Sequence, residues 1–277
     1  MIHIVSDSTA VLSPEFLCAH SNVHVVPLTI CYEGEYRAES DVSVEQVIEY
    51  CEREKQNLTT SQPSTGDWLK AFSEIPAEDP ILVLCITPAV SGTFGGAQLA
   101  ARQSGRENIV VVNSRTTAIG MVQLIEDTLE WIDEGLPFEV IANNLQEAAF
   151  RMRTCVMLDT IEYLRRGGRI GRATGFIGSI LKIKPIIYLT ADDEVDALEK
   201  VRTQKKGFSV ILDYLKENAP LKHIGIVHVV NEEGGRAFME VVKAEFPGVP
   251  ITLSTANSVL AAYLGPGLVG AIFERAK

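Results

Sequence analysis

Two short hydroxyl-rich turns, Thr60-Ser61-Gln62-Pro63-Ser64 and Ser91-Gly92-Thr93-Phe94, each stand just ahead of a segment with helical periodicity. A helix start leaves backbone N–H groups without partners and carries partial positive charge, so hydroxyls gathered at two such starts can converge on one anion. A carboxylate or a phosphate suits that chemistry. Either turn taken alone also fits an ordinary helix cap. Signatures of nucleophilic, phosphate-loop or zinc-hydrolase chemistry are missing: the chain has no GxSxG, GxxxxGK[ST] or HExxH. The glycines at 167, 168, 171, 175 and 178 have the wrong spacing for a dinucleotide loop, and none of His3, His20, His24, His223 and His228 belongs to an HExxH pair.

The elements that must position these turns alternate along the first half. Ile2 to Val5, Val23 to Ile30, Ile81 to Ile86 and Ile109 to Val112 are predicted as strands buried on both faces. Ser13 to His20, Val44 to Arg53, Gly66 to Glu74 and Thr93 to Ser104 are predicted as the helices between them, and the alternation implies a parallel α/β sheet. Met121 to Ile132 and Pro137 to Phe150 follow as two helices bridging the halves. In the second half, Thr154 to Leu158 and His223 to Val230 are predicted strands. Tyr188 to Val195 is predicted as a hairpin with an acidic turn, an antiparallel feature without a counterpart in the first half. Phe208 to Leu215 and Phe238 to Val242 carry amphipathic helical spacing. The fold class is therefore α/β in two domains: a parallel α/β domain over 1–150 and an α+β domain over 151–277.

Composition bounds the function. The 277 residues are 46% hydrophobic and 22% charged, with the apolar residues spread along the chain, as in a folded soluble protein. A formal net charge of −11 argues against a nucleic-acid partner, which needs a concentrated basic face. Cys18, Cys31, Cys51, Cys85 and Cys155 are scattered without a CxxC pair and are expected to be reduced. Neither a signal peptide nor an apolar run long enough to span a bilayer is evident, so the cytoplasm is the expected location.

A set of segments in fixed order carries a further signal: Ile4-Val5-Ser6-Asp7-Ser8-Thr9-Ala10, the two hydroxyl turns, Glu162-Tyr163-Leu164-Arg165-Arg166-Gly167-Gly168-Arg169-Ile170-Gly171, Leu181-Lys182-Ile183-Lys184-Pro185 and Gly265-Pro266-Gly267. In this order they resemble the DegV family over nearly the whole chain. The resemblance implies a DegV-like two-domain fold and a bacterial lipid-binding protein that is not itself an enzyme and needs no cofactor. It implies a long-chain fatty acid as ligand and, as a partner, the separate ATP-using catalytic subunit of a fatty acid kinase. Transient membrane contact is left open. A small-molecule enzyme acting on a phosphate- or carboxylate-bearing substrate is the alternative, and it would need a general base near Thr60 and Ser91. Asp7 is the nearby acid, and its place at a strand end suits a turn-organising role better.

The family pattern also implies roles for particular residues. Thr60 and Ser91 would hold the carboxylate, with the Gly92 N–H adding a donor; Thr93 would either touch the ligand or cap the helix. Many relatives carry a His two residues before the Gly-Pro-Gly turn, where this chain has Tyr263, which would either donate to the ligand or pack against the slot. Val112-Asn113-Ser114 departs from the relatives' Asp-Ser and takes no ligand role. An acyl slot is expected between Gly171 and Leu181, with Phe176, Ile177 and Ile180 enclosing the tail, although a tightly packed helix would use the same small-and-bulky pattern. Arg169, Arg172 and Arg202 would contribute to partner docking.

Overall fold

The computed structural model describes residues 1–176 and 183–277. The chain begins with β1 (His3–Asp7), buried throughout, then α1 (Pro14–Ala19) and β2 (Val23–Val26). Ser13 caps α1 by accepting from the Phe16 N–H, and Pro14 occupies its first turn, where a missing N–H costs nothing. Pro27 then breaks the ladder, so the run Val23 to Ile30 is two strands rather than the single one predicted: β2 and then β3 (Thr29–Tyr32). A two-residue turn with positive φ at Glu33 (50°) and Gly34 (85°) reverses the chain into β4 (Glu35–Ala38).

The remainder of the first half is α2 (Val44–Glu54), β5 (Thr59–Ser61), α3 (Thr65–Ser73), β6 (Ile81–Cys85), α4 (Thr93–Gln103) and β7 (Ile109–Asn113). Four strands form a parallel sheet in the order β2-β1-β6-β7. The other three pair antiparallel in the order β4-β3-β5, which corrects the expectation that antiparallel pairing is confined to the second half. These strands are only three or four residues long, and the turn at Glu33-Gly34 lacks the usual Asn-Gly or Asp-Gly pair, so period and turn chemistry both gave weak signals.

Helices α5 (Ile119–Asp133) and α6 (Phe138–Arg151) then pack between the two halves, α6 touching both β7 and the final strand β13 (Val269–Arg275). The second half runs β8 (Met152–Met157), α7 (Glu162–Arg166), a 3₁₀ turn at Gly171–Phe176, β9 (Lys184–Leu189), β10 (Val195–Val201), α8 (Gln204–Glu217), β11 (Leu221–His228), α9 (Glu232–Glu245), β12 (Ile251–Thr255) and α10 (Ser258–Leu264) before β13. The predicted hairpin is β9–β10, joined through Thr190 to Glu194. Six strands form a mixed sheet in the order β10-β9-β8-β13-β11-β12, parallel only between β11 and β12.

Alternation along these strands gives the mixed sheet two differently used faces. Cys155, Ile224, Ile226, Ala271 and Phe273 point to one side, where Ile211 and Leu215 of α8 and Phe238 and Val242 of α9 cover them. Val156, Val227 and Ile272 belong to the other side, in a hydrophobic core that continues into Ile4, Leu82 and Leu84 of the parallel sheet. Among the described residues no helix is long and apolar enough to cross a membrane.

Gly270 sits where β13 passes β8, and a methyl group there would come within 2.6 Å of the Cys155 carbonyl oxygen and Val156 Cα. Backbone cannot give way as a side-chain tip can. Gly270→Ala is therefore expected to destabilise the fold by about 1–3 kcal/mol, read as a lower urea midpoint at unchanged slope.

Candidate ligand-binding site

In an open parallel sheet the crevice lies beyond the carboxyl ends of strands where the chain order reverses, here between β1 and β6. Asp7 ends β1 and is fully buried. Its carboxylate accepts from the Thr9 N–H (3.0 Å), from the Thr9 hydroxyl, and across the crevice from the Ile86 N–H at 2.7 Å. Burial pushes its pKa up, and the three hydrogen bonds oppose that rise. The sequence placed Asp7 as an organiser of the strand end, and these bonds give it that role.

Beyond this crevice opens a cavity with an empty volume of about 1110 Å³, its mouth included. Its walls come from both halves. Leu28, Ile86 and Thr87 follow strands of the parallel sheet; Val156, Ile187, Val227 and Ile272 stand on the mixed sheet; Val259, Leu260 and Leu264 come from α10. Ala118, also on the wall, has φ of 48°, a conformation that non-glycine residues adopt only when their surroundings enforce it. The tip of the β9–β10 hairpin is tied to the parallel sheet beside the cavity: Asp193 accepts from the Thr87 hydroxyl and from Asn113 Nδ2, and Arg115 donates to the Ala191 carbonyl at 2.9 Å.

One polar cluster on the wall comprises Thr60, Gln62, Ser91, Gly92, Arg169 and Tyr263; Thr87, Thr117, Thr154 and Tyr188 also line the cavity. Thr60 Oγ1 and Tyr263 Oη are 2.7 Å apart. The Arg169 guanidinium lies 4.8 Å from the centre of the Tyr263 ring and donates to the carbonyls of Val90 (3.3 Å) and Gly167 (2.6 Å). Gly167 abuts that same ring so closely that any side chain would overlap it. Ser91 Oγ accepts from the Thr93 N–H at 3.3 Å and pairs with Thr93 Oγ1 at 2.8 Å.

The structure thus brings Thr60, Ser91, Gly92 and Tyr263 together. Thr93 is fully buried, off the cavity wall, and holds the Ser91 hydroxyl. The two helix starts are not equivalent, as the sequence suggested they would be. Thr60 belongs to β5, and α3 is closed by its own capping box of Ser64 and Asp67. At the start of α4 the cap residue Gly92 has no side chain to offer; Ser91 accepts from the Thr93 N–H, and both Ser91 and Gly92 line the cavity. The expected slot residues Ile177 and Ile180, and the side chain of Phe176, lie outside the described residues. Arg172 is exposed and paired with Glu194, Arg202 is exposed, and Arg169 turns to the cavity.

Gln62 and Arg169 are cavity residues that the sequence reading did not assign to the ligand. Gln62 stands two residues from Thr60 at the end of a strand, so period-two alternation was the available signal; its amide lies over Gly92 and Gly96.

A family profile described as "Uncharacterised protein, DegV family" matches residues 1–276. The chain belongs to the DegV family. It is 30% identical to the DegV domain-containing protein TTE1491 of Caldanaerobacter subterraneus, over 99% of this chain and 98% of the relative. Protein DegV of Bacillus subtilis is likewise 30% identical, over 97% of each chain. Among solved structures, a DegV family protein from Thermus thermophilus, described by its fatty acid binding, superposes with TM-score 0.90 at 26% identity, covering 99% of both chains. DegV of Bacillus subtilis, described as a fatty acid binding protein, superposes with TM-score 0.84 at 28% identity over 99% of both chains. A stearic acid-binding protein from Eubacterium ventriosum gives TM-score 0.88 at 25% identity, again over 99% of both.

Within this DegV fold, Tyr263→Phe removes a single hydrogen bond and is expected to cost about 0.5–1.5 kcal/mol in urea unfolding. Gly167→Ala is expected to cost more, about 1–3 kcal/mol, because the added methyl must push the Tyr263 ring away from Arg169 and Thr60 together. Equal costs for the two variants would mean that the ring is not held by its packing on Gly167.

Proposed function

We propose that the chain binds one long-chain fatty acid, with the acyl tail in the apolar part of the cavity and the carboxylate at the end where Thr60 and Ser91 stand. The observation that carries this reading is the division of the cavity: mainly apolar walls from two sheets and α10, broken by Thr87, Thr117, Thr154 and Tyr188, and a cluster of hydroxyls, an amide and a guanidinium where Thr60, Gln62, Ser91, Arg169 and Tyr263 meet. The fatty acids named for its structural relatives support the same ligand class. Each buried methylene contributes about 0.8 kcal/mol, so a tail of about 15 methylenes gives on the order of 12 kcal/mol before association costs. Tail burial therefore sets affinity, and the polar end sets orientation.

Among the described residues lining the cavity there is no histidine or carboxylate, so no general base faces the space between Thr60 and Ser91. This favours a carrier over an enzyme acting on the ligand itself. In the proposed cycle, the chain presents the carboxylate to the separate ATP-using subunit of a bacterial fatty acid kinase, in the cytoplasm. Residues 1–150 and 151–277 serve as two domains with the ligand between them. Arg172 and Arg202 are proposed to meet the acidic surface of that subunit, while Arg169, on the cavity wall beside Tyr263, is proposed to orient the head group as well as to steer the partner.

Native mass spectrometry of the freshly purified chain, followed by organic extraction, is expected to find one acyl mass per protein. The Thr60→Ala and Ser91→Ala double variant should lose about 1–3 kcal/mol of head-group interaction and retain a weakened tail interaction. A full lipid complement together with normal phosphorylation by a cognate kinase subunit would overturn the head-group assignment. Charge reversal at Arg172 and Arg202 is expected to abolish acyl phosphate formation with lipid content unchanged; equal loss of both would place these arginines in the fold or the pocket instead.

A further inference from the structure

One row past the inner end of the cavity, the mixed sheet becomes charged. Thr154, Ile272 and Gly225 stand in register on its cavity side, and the next row along the same strands is Met152, Glu274 and His223. Glu274 is fully buried and His223 is 8% exposed, and α5 lays Asp127, 5% exposed, against them. One carboxylate oxygen from each acid and a ring nitrogen of His223 all lie within 4.8 Å of one another.

The hydrogen bonds do not account for this cluster. Arg151 takes Glu274 Oε1 with two donors, at 3.0 and 2.5 Å, and leaves Oε2 without a hydrogen bond. His223 Nε2 lies 3.1 Å from that oxygen, yet neither ring nitrogen completes a hydrogen bond. Two buried carboxylates beside an imidazole whose contact with Glu274 is poorly directed call for a cation besides Arg151. Lys222 supplies one, its Nζ 2.5 Å from Asp127 Oδ2 and 3.6 Å from Glu274 Oε2. Unlike the groups it serves, the Lys222 side chain is 40% exposed and can swing into solvent.

We propose that Asp127, His223 and Glu274 form a binding site for a divalent transition-metal ion, with the Lys222 ammonium as the removable cation that occupies the same position when the metal does not. An imidazole with two carboxylates suits Zn²⁺ better than Mg²⁺ or Ca²⁺, and three protein ligands leave a fourth position for water. The three ligands come from α5, β11 and β13, so the metal would fasten α5, whose first residues adjoin the cavity wall, to the sheet that forms the cavity floor. They are too far apart in sequence to register as a local motif.

The test is isothermal titration of the full chain with Zn²⁺ after chelator treatment and dialysis. One site per chain is expected, weakened at least tenfold by Asp127→Asn and by His223→Gln. Lys222→Met should tighten it at least tenfold, because the competing ammonium is gone while all three ligands remain. Absence of binding in the wild type would overturn the proposal. So would binding unaffected by Asp127→Asn and His223→Gln, which would place the ion elsewhere, for instance at the His3–His24 pair. Weaker binding in Lys222→Met would overturn it as well, and that variant decides the matter even if the other two fail to fold.

Discussion

The cavity depends on one buried carboxylate. Asp7 has no basic partner among the described residues, and it is held in place by donors alone, two from Thr9 and one from the Ile86 backbone. Its bond to Ile86 fixes the distance between the ends of β1 and β6, and Ile86 and Thr87 then enter the cavity wall. An apolar residue at position 7 would leave the Ile86 N–H buried without an acceptor, and the crevice would lose the bond that sets its width. The burial that raises the Asp7 pKa is thus a consequence of where the crevice must be.

From that fixed crevice the two ends of the cavity follow different rules. The apolar walls work by area, and many substitutions of similar volume would preserve them. The polar end works by geometry. Its groups bond to one another and to nearby backbone: Thr60 to Tyr263, Ser91 to Thr93, and Arg169 to Val90 and Gly167. The proposed anion would exchange these partners rather than satisfy orphaned groups, so its net gain there would be small and its ordering the larger effect. Gly167 is the steric condition for that arrangement, because the Tyr263 ring occupies the place a side chain would take.

Much of this was legible in the residue pattern. The parallel sheet was readable because its strands are continuous apolar runs separated by well-capped helices, as with Ser13 before α1. The β9–β10 hairpin announced itself by its acidic turn. The small antiparallel sheet did not, since Pro27 and strands of three or four residues give no period to count. On the cavity wall, the proximity of Thr60 and Ser91 to one space was suggested by their short motifs. The part played by Gln62 was hidden in strand alternation, and the stacking of Arg169 on Tyr263 joins residues 94 positions apart that no local rule connects. The last three elements, β12, α10 and β13, were not read at all, although two of them line the cavity.

Helix α10 explains why the polar end could not be deduced from its own segment. Its cap, Asn257, accepts from the Leu260 N–H and donates across 249 residues to the Ser8 carbonyl, one residue beyond Asp7. The next residue, Ser258, donates to the Glu39 carbonyl and lies 3.0 Å from its carboxylate, whose pKa burial pushes up against the opposing hydrogen bonds of Ser258, Ser8 and Asn257. One turn further on, Leu260 and then Tyr263 reach the cavity. The direction of Tyr263 toward Thr60 is therefore set by where the end of β1 holds the start of α10. The same Asp7 turn that spaces the parallel strands also aims the phenol, and the geometry of the polar end is a property of this long-range contact rather than of the Tyr-Leu-Gly-Pro-Gly sequence around it.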